Sequence, residues 1–123
     1  MRTLILLMWS ILAPGADRLP SAIPVADAIA AVAGDEQTAA LLSVYAWRES
    51  SLQPHVVGDG GRSCGVWQMA CSRIQGLSLT QQAALWLSDV RASSLAAVDS
   101  SPSRAARRTD FAMKLLDRAK GVR

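Results

Sequence analysis

The chain has no asparagine, one histidine, two cysteines and only two glutamates. Each scarcity excludes something. With His55 the only imidazole and Cys64 and Cys71 the only thiols, a metal centre lacks partner ligands. A cysteine peptidase built on either thiol and His55 has no evident third group to orient the histidine, and neither cysteine clearly opens a helix. Aromatic residues make up 5% of the chain, four of them Trp. Core volume must therefore come mostly from Ala, Leu and Val, a helix-favouring mix. No internal repeat and no sustained strand alternation is found, so the fold class expected is mostly α, with an irregular glycine-rich loop or a minimal β element.

The 123 residues leave room for one domain, and an apolar content of 50% suits a globular core. The net charge is +3, and its excess lies late in the chain, at Arg104, Arg107, Arg108, Lys114, Arg118, Lys120 and Arg123. Such a surface can attract anionic polymers or headgroups. Asp110 and Asp117 interrupt it, so a solvated helix face is preferred to a binding patch, and no nucleic-acid partner is expected.

At the other end, Arg2 precedes an apolar stretch of about ten residues, Leu4 to Ala13. That is short for a bilayer span and the right length for a signal-peptide core. Residues 1–16 are read as an export segment and 17–123 as the domain. The competing readings are a buried first helix or an uncleaved anchor. Export implies a periplasmic or extracellular location; a virion-associated protein is the alternative. In an oxidising compartment Cys64 and Cys71 could pair and close the loop between them, whereas in the cytosol they would be two small buried thiols.

Along the domain, Ser21 or Pro24 starts a helix through Ala33 that Gly34 stops, and Asp35 caps a second one running to Glu49. Apolar residues cover more than one face of the second helix, so it should be largely buried. Ser51 to Ser63 reads as loop, with Gly58, Gly60 and Gly61 permitting positive φ. Cys64 to Met69 is a short apolar run. Leu79 begins a further helix with Thr80 as its cap. Ser93 to Ser103 is a loop or weak helix, and Pro102 opens a last helix that Gly121 closes.

Glu49 stands at the end of the central helix, followed by Gly58-Asp59-Gly60-Gly61-Arg62-Ser63-Cys64-Gly65-Val66-Trp67-Gln68. Partial burial at such a place disfavours the charged carboxylate and suits a proton donor. The other glutamate, Glu36, sits in a polar helix start. Asp59 between glycines is foremost a turn residue, and Ser63 likewise belongs to turn chemistry. Tyr45 and Trp47 read as core.

The Glu49-Ser50 pair and the spaced Gly65-Val66-Trp67-Gln68 block resemble the lysozyme-like superfamily, in particular soluble lytic transglycosylases and goose-type lysozymes. The likeness covers about residues 38 to 72. It implies a small lysozyme-like helical domain that cuts the β-1,4 bond between MurNAc and GlcNAc in peptidoglycan glycan strands, with Glu49 as the single acid and base. It further implies that Gln68 bonds the sugar or braces the acid, that Trp67 walls the cleft, that Ser63 lies near Glu49, and that Asp59 is the one candidate to position a hydrolytic water. No cofactor or metal is implied, and a monomer with peripheral envelope association is expected. The Ala-x-Tyr-Asn motif usual downstream has no counterpart here, since the chain lacks Asn and its only Tyr is Tyr45. Two alternatives follow: an inverting hydrolase using Asp59, or a catalytically weak domain that only binds peptidoglycan.

Overall fold

The computed structural model describes residues 1–122; Arg123 lies outside the described residues. Its central element is α3 (Glu36–Ser50), which begins where Asp35 accepts a hydrogen bond from the Thr38 backbone N–H at 2.7 Å. An extended backbone at Asp35 and a carboxylate reaching the third helical N–H satisfy a donor that the helix itself leaves open. Ala39, Ala40, Leu42, Ser43, Val44, Tyr45 and Ala46 are all buried, so the helix is covered on nearly every side, as its apolar pattern predicts. The buried Ser43 returns its hydroxyl to the Ala39 carbonyl, which removes the cost of burying it.

Around α3 pack α1 (Arg2–Leu12), α2 (Ala22–Val32) and α7 (Pro102–Val122), while α5 (Leu79–Ala92) lies against α2 and the short α6 (Leu95–Asp99) joins α5 to α7. The glycine-rich segment folds into a three-stranded antiparallel sheet, β1 (Val57–Gly58), β2 (Ser63–Cys64) and β3 (Met69–Ala70), followed by one turn of helix, α4 (Cys71–Ile74). The register pairs Val57 with Cys64 and Cys64 with Met69. The domain is mostly α with a minimal β element, the class expected from the sequence.

Several boundaries differ from expectation. Ser78, rather than Thr80, caps α5, because Ser78 and Gln81 exchange side-chain and backbone hydrogen bonds in a capping box. Gly121 does not end the last helix, which runs through to Val122. The weak helix foreseen between Ser93 and Ser103 is a real turn of helix, capped by Ser94.

The N-terminal apolar stretch forms α1, whose Ile5, Met8 and Trp9 are fully buried. The Trp9 indole N–H donates to the Ser43 carbonyl at 3.0 Å, and the helix packs on α2, α3 and α7. In this structure the stretch packs as a buried helix against the rest of the domain. Among the described residues no helix is long and apolar enough to cross a membrane. Truncating a buried Trp typically costs about 3–5 kcal/mol. Trp9→Ala should lower stability by that order in urea unfolding followed by circular dichroism; wild-type stability in this variant would show that α1 is dispensable to the fold.

Candidate active site

The chain turns sharply directly after Glu49. Ser51 and Leu52 both adopt left-handed backbone, with φ of 52° and 65°, a conformation that side chains other than Gly rarely take. The turn is held by the Ser51 N–H bonding the Trp47 carbonyl at 2.9 Å and by complete burial of Leu52. It ends α3 with Glu49 in the last helical turn, 28% exposed at its side chain, at the edge of a cavity of about 590 Å³.

The sheet supplies a second wall. Asp59 has φ of 51°, and its carboxylate accepts the Ser63 hydroxyl at 2.6 Å. Both residues border the cavity, and both act as the turn residues the sequence suggests. Gln68, also with positive φ, donates its side-chain amide to the Val56 carbonyl at 3.0 Å and the Gly65 carbonyl at 2.9 Å. Its amide hydrogens are therefore engaged in bracing the hairpin and are not free for a sugar. Its oxygen faces Gly58, where an added Cβ would lie 2.6 Å away, so Gly58 must lack a side chain for this brace to form. Trp67 borders the cavity but is 3% exposed, and its indole N–H donates to the Leu42 carbonyl at 3.1 Å. Trp67 thus packs as a core side chain whose indole ties the sheet segment to α3, at the edge of the cavity.

Cys64 and Cys71 form a disulfide, so β2 is joined covalently to the start of α4. Gly65, inside this loop, has φ of 83°, and a Cβ there would meet Gln82 and Ile74 at under 3 Å. The left-handed backbone disfavours any other residue here, and a side chain would also have to displace the tips of Gln82 and Ile74.

The third wall comes from α6 and α7 and was not foreseen. Asp99 has 0% side-chain exposure. It accepts the Tyr45 hydroxyl and the Arg104 Nε, and its backbone carbonyl accepts Arg104 Nη2 at 2.6 Å. Arg108, 16% exposed, lies 3.5 Å from Asp99, stacks 4.9 Å from the Tyr45 ring centroid, and donates to Glu49 Oε1 at 2.6 Å. Glu49 is thus the end of a chain of paired groups rather than an isolated acid. Arg104 and Arg108 had been assigned to a solvated basic face. One sequence signal does exist: Arg108 lies three residues after Ala105 and four before Ala112, both buried, and so falls on the apolar stripe of α7. Asp99 carries no such signal, because the Tyr45 hydroxyl that helps to enclose it lies 54 positions away.

Opposite this cluster, Arg73 of α4 and Asp89 of α5 form a two-pronged ion pair at 2.7 and 3.0 Å. The guanidinium holds the Asp89 carboxyl below the usual carboxylate range. Tyr45 leans on Trp86, their ring centroids 5.1 Å apart. Among the described residues no group of His, Cys, Asp and Glu could hold a metal ion.

Comparison with known proteins found no matching family model, no matching curated protein and no matching solved structure.

Burial, then the hydrogen bond to Asp99, pushes the Tyr45 hydroxyl far above its ordinary value. The folded value exceeds the unfolded one, so the associated stabilisation is complete below about pH 10 and is lost as pH rises beyond it. Tyr45 is the only tyrosine, so tyrosinate absorbance reports on it alone. We expect no ionisation near pH 10 in the folded protein, and a single step coincident with alkaline unfolding by circular dichroism. A titration near pH 10 with the fold intact would contradict the buried pairing.

Proposed function

We propose that the protein cleaves peptidoglycan glycan strands by the lytic transglycosylase route, with Glu49 as the sole acid and base. The observation that carries this reading is convergence. Residues separated in sequence, Glu49 on α3 and Asp59, Ser63 and Gln68 in the sheet segment and its turns, border one open cavity large enough for a sugar. Glu49 protonates the glycosidic oxygen as the bond to the anomeric carbon breaks. It then takes the proton of the C6 hydroxyl while that oxygen closes a 1,6-anhydro ring. No water and no second carboxylate are consumed. Arg108 contributes by pairing with the carboxylate left after the first proton transfer, and the neutral acid requires that pair to loosen.

Asp59 supports this route over hydrolysis through its engagement with Ser63 in the turn. The Cys64–Cys71 bridge is in keeping with an exported protein, as disulfides persist in oxidising compartments. The packing of α1 favours its retention in the exported domain. One observation favours a second reading. The Glu49–Arg108 pair holds a carboxylate where a proton donor is needed, as a domain that binds glycan without cutting it would tolerate.

Glu49→Gln should reduce product release from purified sacculi by about a hundredfold or more, while Glu36→Gln should be nearly silent. Glu36 pairs with Lys120 and stands in the first turn of α3, at the opposite end of that helix from Glu49. Near-full activity in folded Glu49→Gln removes the assignment. Wild-type protein that sediments with sacculi yet releases nothing establishes the binding reading instead.

Product chemistry separates the two enzymatic routes. An inverting hydrolase needs a second carboxylate to activate water. Asp59→Asn should therefore keep most activity, with mass analysis showing anhydro ends. Loss of activity in the folded variant, with reducing ends from the wild type, would assign Asp59 as that base.

A further inference from the structure

Beside Arg104 lies a second cavity, about 400 Å³, bounded by Arg48, Arg104, Arg107, Arg108 and Phe111. Its composition follows from helix geometry. Residues 104, 107, 108 and 111 recur at three- and four-residue spacing, so they share one face of α7. Arg48, in the last turn of α3, packs opposite and sets its guanidinium 5.1 Å from the Phe111 ring centroid. Four guanidiniums thus converge from two helices. Only two have carboxylate partners: Arg104 with Asp99, and Arg108 with Glu49 and Asp99. Among the described residues Arg48 and Arg107 have none. Like charges so grouped repel one another, and an anion brought among them relieves the repulsion. Planar, multi-donor guanidiniums suit oxyanions, which accept paired hydrogen bonds. Arg104 also borders the large cavity, so the two sites meet at this wall.

We infer that this arginine pocket binds an oxyanion, a carboxylate or a phosphate group, and that its occupant competes with Glu49 for Arg108. The pocket stands on its own geometry. The competition bears on catalysis only through the reading of Glu49 as the acid: an anion drawing Arg108 away leaves the Glu49 carboxyl free to carry a proton. An anionic group on the glycan or on a neighbouring polymer would then both anchor the substrate and release the acid.

The test uses the full chain at constant ionic strength, with inorganic phosphate as the phosphoryl probe, malonate as the carboxylate probe and chloride as the control. Calorimetry should show saturable binding of phosphate or malonate. The tighter of the two names the group, and either supports the site. Arg48 and Arg107 are exposed and outside the Glu49 pairing, so Arg48→Ala/Arg107→Ala should fold and bind about tenfold more weakly or worse. With only two glutamates in the chain, carboxyl-labelled glutamate gives two carbon signals, and Glu36→Gln identifies the one from Glu49. That signal should shift as phosphate or malonate saturates. No saturable binding beyond chloride, or undiminished binding in the folded double variant, overturns the site. Saturation that leaves the Glu49 signal unmoved overturns the competition. Anion binding by a protein with no glycan-cleaving activity would support the site and remove only the enzymatic reading.

Discussion

Asp99 is shut away from solvent, and a carboxylate so placed has to be paired on every side. That requirement organises the lower half of the molecule. Tyr45 supplies a hydroxyl from α3, Arg104 closes back from the first turns of α7, and Arg108 stands behind them and reaches on to Glu49. The cluster thereby ties α3, α6 and α7 together, in addition to their packing contacts. Removing one partner leaves a buried carboxylate oxygen short of a donor, which costs more than an exposed hydrogen bond would. The position of Glu49 is therefore set from both directions, by the end of its own helix and by a guanidinium fixed elsewhere.

The cavity inherits its character from this arrangement. One wall is a strained hairpin whose turns depend on left-handed residues and on glycines that admit no side chain. Another is a rigid charged cluster. The apolar anchors lie behind: the Trp9 and Trp67 indoles donate to successive carbonyls of α3, at Ser43 and Leu42. The central helix is gripped by α1 on one side and the sheet segment on the other, which suits a site that must keep its reacting group in place.

Local rules made much of this legible. Asp35 as a cap, the burial of α3, the turn at Gly58 to Gly61 and the convergence of Glu49 with the glycine block could all be read from residue type and spacing. What escaped were choices decided by distant partners. Trp67 could have faced a sugar or the core, and the unsatisfied indole N–H found Leu42. Gln68 could have reached a ligand, and two backbone carbonyls within the hairpin claimed its amide. Arg108 looked like surface charge because Glu49 lies 59 positions away. Helix cores and leader cores share the same composition, so the packing of the apolar start on α2, α3 and α7 could not be read from its residues.

The packing of α1 against α7 has a consequence for how the chain comes to be folded. α1 finds one of its main partners in α7, at the other end of the described residues. Contacts of such sequence separation slow folding, since the loop must close before they form. The part of the core that α1 and α7 share therefore closes only when these two distant segments meet.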